Sequence, residues 1–235
     1  MSLPPEGTIF LYGLLFNVAR KAYERTQDET DEQRFLTAAP TAIVFAAMSL
    51  EGFINEVELF LHVTLPNVAS VEPEIANLAS ALREIEAARG SIELKYIMAA
   101  IALGKPFDKG SNPYQDFSLL IDLRNALMHF KGAKTVASAD GTVAVLSEQK
   151  LMDRLRGKGI LRANPNVGLY SAIGTTAAAG WACNTAASMI TSLVSRLPDS
   201  GAKYRIVHSS SMALIESFHY WSKESDINRG QDSNV

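Results

Sequence analysis

The sequence predicts an all-α fold: a helical bundle with a small β-hairpin insertion and extra helices toward its C-terminal end. Three observations lead there. Apolar residues recur at three- and four-residue spacing along most of the chain. Of its 235 residues, 47% are apolar, enough for one large core, which excludes a disordered chain. Only one short stretch alternates as a strand does. Residues 1–224 therefore read as a single domain, and the polar residues 225–235 as a disordered tail.

Taken in order, Ile9 to Ala19 is a buried helix. Gly13 and Asn17 interrupt it and no basic stretch precedes it, so it is neither a signal peptide nor a membrane span, which needs about 18 apolar residues. From Phe35, the positions Leu36, Ile43, Ala46, Ala47, Leu50, Phe53, Ile54, Val57 and Leu61 trace one buried stripe of a long helix ending before Pro66. Pro40 marks a kink or a boundary near its start. Glu74 to Arg89 repeats the pattern with Ile75, Leu78, Leu82 and Ile85, and Gly90 stops it. A helix over Ser91 to Leu103 follows. The loop Lys105 to Pro113 then leads into a strongly apolar helix over Tyr114 to Phe130.

Next, two β-prone runs flank Asp140 and Gly141, a strong turn signal, so a hairpin is expected over about 135–146. Ser147 to Arg156 forms a short helix, and the Ala-rich stretch Thr175 to Leu197 a long one closed by Pro198. Met212 to Trp221 forms a last amphipathic helix. No repeat of 20–50 residues is present.

The formal charge is −3 and the sequence pI is near 5.8, which excludes a surface that is basic throughout. The charge is unevenly distributed. Residues 1–123 hold 9 cations and 17 acids, residues 124–162 hold 8 and 3, and residues 163–235 hold 5 of each. Lys131, Lys134, Lys150, Arg154, Arg156, Lys158 and Arg162 make up most of the middle excess. They would steer an anion if they share a face; otherwise they decorate a solvated loop and helix. Cys183 is the only cysteine, which rules out an internal disulfide or a cysteine metal cluster and fits a reducing, cytoplasmic setting. It sits among Ala and Trp181, where a small packed side chain is expected rather than a nucleophile.

Arg124-Asn125-Ala126-Leu127-Met128-His129 places an Arg and a His inside a greasy helix, which needs a reason. Five helical steps set them about 140° apart and about 7.5 Å along the axis, so they flank a groove more readily than they pair. Asn125 and His129 share a face with Asp122. An Arg-Asn followed by His at a permitted spacing would arise by chance about 0.03 times in a chain of this composition. On the earlier long helix stands Met48-Ser49-Leu50-Glu51-Gly52-Phe53-Ile54-Asn55.

With these two segments the chain resembles the HEPN superfamily, whose signature is Arg, often Asn, and then His a few positions on. Many of its members also carry a Leu-Glu-x-x-Ile-Asn run. The resemblance spans roughly residues 35–131. It implies a helical bundle that forms a homodimer across the motif helices. Many such proteins are metal-independent endoribonucleases acting as toxins or in phage defence, often beside an antitoxin protein; others are inactive binding modules. Cleaving RNA next to its own 2′-OH needs a proton carrier and a cation on the phosphorane. Imidazole gains and loses protons near neutral pH, which suits His129 as general base or acid. Arg124 offers a planar fork to two phosphate oxygens. Asn125 could orient the imidazole or bind phosphate, with Glu51, Asn55 and Asp122 in support and Lys131, Lys134, Arg154, Arg156 and Lys158 on the RNA backbone. Where some family members carry a modified Tyr two residues after the His, this chain has Lys131, so that control is not expected.

No metal or other cofactor is implied. Glu51, Asn55, Glu58 and His62 form a polar stripe, but no Glu-x-x-His pair of a di-iron bundle appears. The nucleophile elbow, the phosphate-binding loop and the dinucleotide fingerprint are all absent from the sequence. His208 and His219 have no evident partners. Three functions stand: an RNA-cutting enzyme at Arg124 and His129, an inactive module binding nucleotide, RNA or protein there, and a dimeric helical scaffold. No membrane contact is expected of any of them.

Overall fold

A computed structural model describes residues 11–28, 30–64, 72–129, 135–137, 143–145, 148–162, 168–207, 210–216 and 218. The chain is mostly helical, and α3 (Ala39–Thr64) is its axis. Ile43, Ala46, Ala47, Leu50 and Ile54 of α3 are fully buried, because helices pack on it from several sides. α1 (Tyr12–Asp28) and α9 (Thr176–Val194) make the most extensive of these contacts. Small residues bring them close. Ala22 of α1, Ala39 and Ala42 of α3, and Ala179 of α9 form one cluster where no longer side chain holds the backbones apart. Further along, a Cβ on Gly52 of α3 would lie 3.3 Å from Leu15 Cδ1 and 3.4 Å from Tyr12 Cβ.

The first helix is longer than its apolar run suggested. Residues past Ala19 continue it as an amphipathic segment with Ala22 buried and Arg20, Lys21 and Glu24 in ion pairs. Its first N–H groups are met from a distant helix. Glu56 Oε1, from α3, accepts the Leu11 and Tyr12 backbone N–H groups at 2.5 and 3.0 Å. Burial pushes the Glu56 carboxyl above its ordinary value, outweighing those two bonds, which favour the charged form.

Before α3 lie α2 (Asp31–Gln33) and a π-helical turn at Arg34–Ala38. This turn corrects the expectation for Leu36. The wider winding breaks the phase of the stripe, and Leu36 is exposed. Pro40 stands at the second position of α3, directly after the π-helical turn, and the helical winding runs unbroken through it. Leu36–His62 is long and apolar enough to cross a membrane, but 56% of its apolar 18-residue window is buried inside the bundle.

α4 (Pro73–Ala87) buries Ile75, Leu78, Leu82 and Ile85 as their spacing requires, and α5 (Ile92–Ala102) starts at Ser91, whose Oγ accepts the Leu94 N–H at 3.2 Å. Tyr96 of α5 donates its hydroxyl to Leu50 O at 3.0 Å and packs on Phe117, fastening α5 between α3 and α6 (Tyr114–Met128). Two strands, β1 (Thr135–Ala137) and β2 (Val143–Val145), pair antiparallel with Thr135 opposite Val145; Asp140 and Gly141 lie outside the described residues.

α7 (Gln149–Lys158) packs on α6 through Met152 and Leu155 and ends at Gly159, whose φ of 68° suits a residue without a Cβ. The short α8 (Leu169–Ala172) and α10 (Gly201–Val207) were not apparent from periodicity. α9 begins at Thr175, whose Oγ1 accepts the Ala178 N–H at 2.9 Å. Of the last expected helix, Met212 to Trp221, the first five residues lie in α11 (Ser210–Glu216), Phe218 is not helical, and residues 217 and 219–221 lie outside the described residues. His208, His219 and residues 225–235 lie outside the described residues.

Candidate functional site

α6 turns Leu119, Leu120, Leu123 and Leu127 into the core, which leaves Arg124, Asn125, Met128 and His129 on its outer side near the C-terminal end. Arg124 reaches across to α3, where its Nη2 donates to Glu51 Oε2 at 2.5 Å. Its Nη1 donates to Asn125 Oδ1 at 3.1 Å. The Arg124 stem is covered, its side chain being 20% exposed, and its Nε is buried with no hydrogen-bond partner among the described residues. Thus Glu51 and Asn125 fix the guanidinium, while its Nε–H meets no acceptor among the described residues.

His129 is the C-cap of the helix rather than an interior residue. Its backbone N–H donates to Asn125 O at 2.9 Å, its φ and ψ of −113° and 44° leave the helical region, and its side chain is exposed. The imidazole makes no hydrogen bond to a described residue. Asn125 Oδ1 accepts from Arg124, which leaves the Asn125 amide N–H groups as its donors for a ligand. Exposed Met48 and Met128 stand beside these polar groups, one turn before Glu51 and directly before His129.

The structure thus joins Glu51, Arg124 and Asn125, with His129 one turn beyond. It does not bring in Asn55, whose Oδ1 accepts from Lys95 Nζ at 2.6 Å. Lys95 is almost wholly buried and also pairs with Glu86, so Asn55 helps satisfy a buried ammonium. Asp122 is held by Arg154 Nη1 at 2.5 Å, and Lys158 by Asp116 at 2.5 Å, which docks α7 on α6; Arg156 pairs with Asp153 on its own helix at 2.7 Å. Each of these three cations therefore already has a carboxylate. Lys131 and Lys134 lie outside the described residues.

Sequence reasoning missed Tyr170, which donates its hydroxyl to Leu127 O at 2.7 Å and so satisfies a carbonyl in the last turn before His129. No local signal links residues 43 apart. It also missed two grooves beside the first half of α6, neither lined by Arg124 or His129. One, of about 630 Å³, lies between Asn112, Pro113 and Asp116 and the hydroxyl-rich side of α9 at Trp181, Thr185 and Ser188. The other, of about 460 Å³, lies between α6 and α7 and is lined by Lys109, Gln115, Arg154 and Lys158. Among the described residues no cluster of three or more His, Cys, Asp or Glu could hold a metal ion.

No family model matches this chain, and no curated protein or solved structure matches it.

Proposed function

We propose that the chain is a HEPN-type bundle, with the β1–β2 pair as an inserted hairpin, that acts as a metal-independent endoribonuclease at Arg124 and His129. The observation that carries this reading is the Glu51–Arg124 ion pair. The two segments that resemble the superfamily are far apart in sequence, and one residue from each meets the other at 2.5 Å. Support also comes from the Arg124 Nε, buried without a partner among the described residues, since a purely structural arginine is expected to satisfy its donors.

In this reading the 2′-oxygen of a ribose attacks the adjacent phosphorus while His129 takes the 2′-OH proton. Charge builds on the phosphorane oxygens, where Arg124 and the Asn125 amide N–H groups donate. The bond from phosphorus to the 5′-oxygen breaks, leaving a 2′,3′-cyclic phosphate, and the 5′-oxygen gains a proton from a second imidazole. One His129 per chain makes that second imidazole the gift of a homodimer. DNA lacks the nucleophile and resists. The family resemblance extends the proposal to a cytoplasmic toxin or phage-defence effector held in check by an antitoxin protein.

The test is cleavage of end-labelled single-stranded RNA in EDTA by the wild type, Arg124→Ala and His129→Ala, with analysis of product ends. Cyclic-phosphate ends that disappear in both variants are expected. Wild type and variants that leave RNA equally intact would replace catalysis with the binding-module reading.

A further inference from the structure

The groove between α6 and α7 holds three cations and no carboxylate on its lining, and it lies on the side of α6 that carries Asn125 and His129. Gln115, Ser118, Asp122, Asn125 and His129 recur at three- and four-residue steps, so they form one stripe within an arc of about 80°. Ser118 precedes Asn125 by about 10 Å and His129 by about 16 Å along the axis, the span of a few nucleotides. We propose that this groove binds a phosphate group carried on a ribose, through Lys109, Arg154 and Lys158. This deepens the ribonuclease reading and rests on it for the identity of the strand.

Three features favour a phosphate here. First, Lys109 holds no ion pair with a described residue, yet its loop is fixed: Asp108 Oδ1 accepts the Gly110 N–H at 2.8 Å, and Gln115 Nε2 donates to Gly110 O at 2.6 Å. Second, Arg154 gives Nη1 to Asp122 while Lys158 is ion-paired with Asp116, and both cations have further N–H groups. Asp122 shares the stripe of the groove-lining Ser118 and Gln115 and is half exposed, so its carboxylate competes with an incoming anion for Arg154. Third, at about 460 Å³ the groove admits a nucleotide. Glu93 accepts the Ser118 hydroxyl at 2.8 Å, which leaves recognition to the three cations.

The test is binding of a fluorescein-labelled eight-nucleotide RNA by anisotropy, in the full chain carrying His129→Ala so that nothing is cut, with adenosine 5′-monophosphate and orthophosphate as competitors. Exposed Lys109→Ala should weaken RNA binding about fivefold at low salt and reduce the salt slope by about one. Arg154→Ala and Asp122→Asn remove the same ion pair but should act oppositely, the first weakening binding and the second tightening it several-fold by releasing Arg154. Displacement by adenosine 5′-monophosphate in the Lys109-dependent manner identifies a nucleotide pocket, and displacement by RNA alone a strand subsite; either supports the groove. Unchanged binding in Lys109→Ala, equal weakening in Arg154→Ala and Asp122→Asn, or no binding of any probe overturns it. Cleavage by the otherwise wild-type chain is scored separately. Cleavage with Lys109-independent binding sinks the groove alone, and Lys109-dependent binding without cleavage sinks the catalytic reading alone.

Discussion

Replacing Arg124 by Met should stabilise the protein, and the expected size follows from how Arg124 is held. Its buried Nε–H, without a partner among the described residues, costs about 1–3 kcal/mol in the folded state. Against this stands the pair with Glu51, whose side chain is 48% exposed, so solvent screening limits the pair to about 0–1 kcal/mol. The bond to exposed Asn125 adds a few tenths of a kcal/mol at most. Met fills the volume of the covered stem, which keeps the packing term small. The balance is a gain of about 1 kcal/mol, or about 2–4 °C in Tm for a chain of this length. Urea denaturation followed by circular dichroism measures it, with Glu51→Gln as control, expected within about 0.5 kcal/mol of the wild type. A residue maintained at a cost to stability is one whose use lies elsewhere. A loss above about 1.5 kcal/mol in Arg124→Met would refute the reasoning and make Arg124 a strut between α3 and α6.

Glu56→Gln keeps an oxygen for the Leu11 and Tyr12 N–H groups and removes a charge that burial disfavours, so it should equal or exceed the wild type at neutral pH; Glu56→Ala should lose about 1–2 kcal/mol. Because the folded-state pKa is raised, the wild type carries no penalty below the ordinary value of 4.5 and acquires it as pH rises through the folded value, so the advantage of Gln over Glu should open across that window and close below it, as thermal unfolding against pH can show. Burial pushes the Cys183 thiol well up, and in the native protein it should react with a disulfide reagent only as fast as the bundle opens, so reactivity and unfolding rate should rise together with denaturant. Gly52→Ala gains about 1 kcal/mol of helix propensity and meets Leu15 and Tyr12 at 3.3–3.4 Å, leaving stability near the wild-type value, whereas Gly52→Leu should lower it by at least about 2 kcal/mol in the same denaturation assay.

Residues within four positions of one another decide most of what was legible in the sequence. The spacing of Ile75, Leu78, Leu82 and Ile85 and the Ala content of α9 act inside one or two helical turns, so α4 and α9 could be read directly; the Ser91 and Thr175 caps that the structure shows are equally local. Leu36 failed because a π-helical turn shifts phase without any change in composition, and α8 because four residues are too few to show a period.

Sequence by itself thus determined that the chain is helical, where most helices lie and that Arg124, Asn125 and His129 share the end of one of them. Tertiary structure alone decided what each polar side chain holds. Glu56 caps a helix 44 and 45 residues away, Asn55 turns to Lys95, Glu51 meets Arg124, and Arg154 and Lys158 meet Asp122 and Asp116. Helix formation responds to neighbours along the chain, whereas the partner of a charged side chain depends on which helix faces bury their apolar stripes against one another.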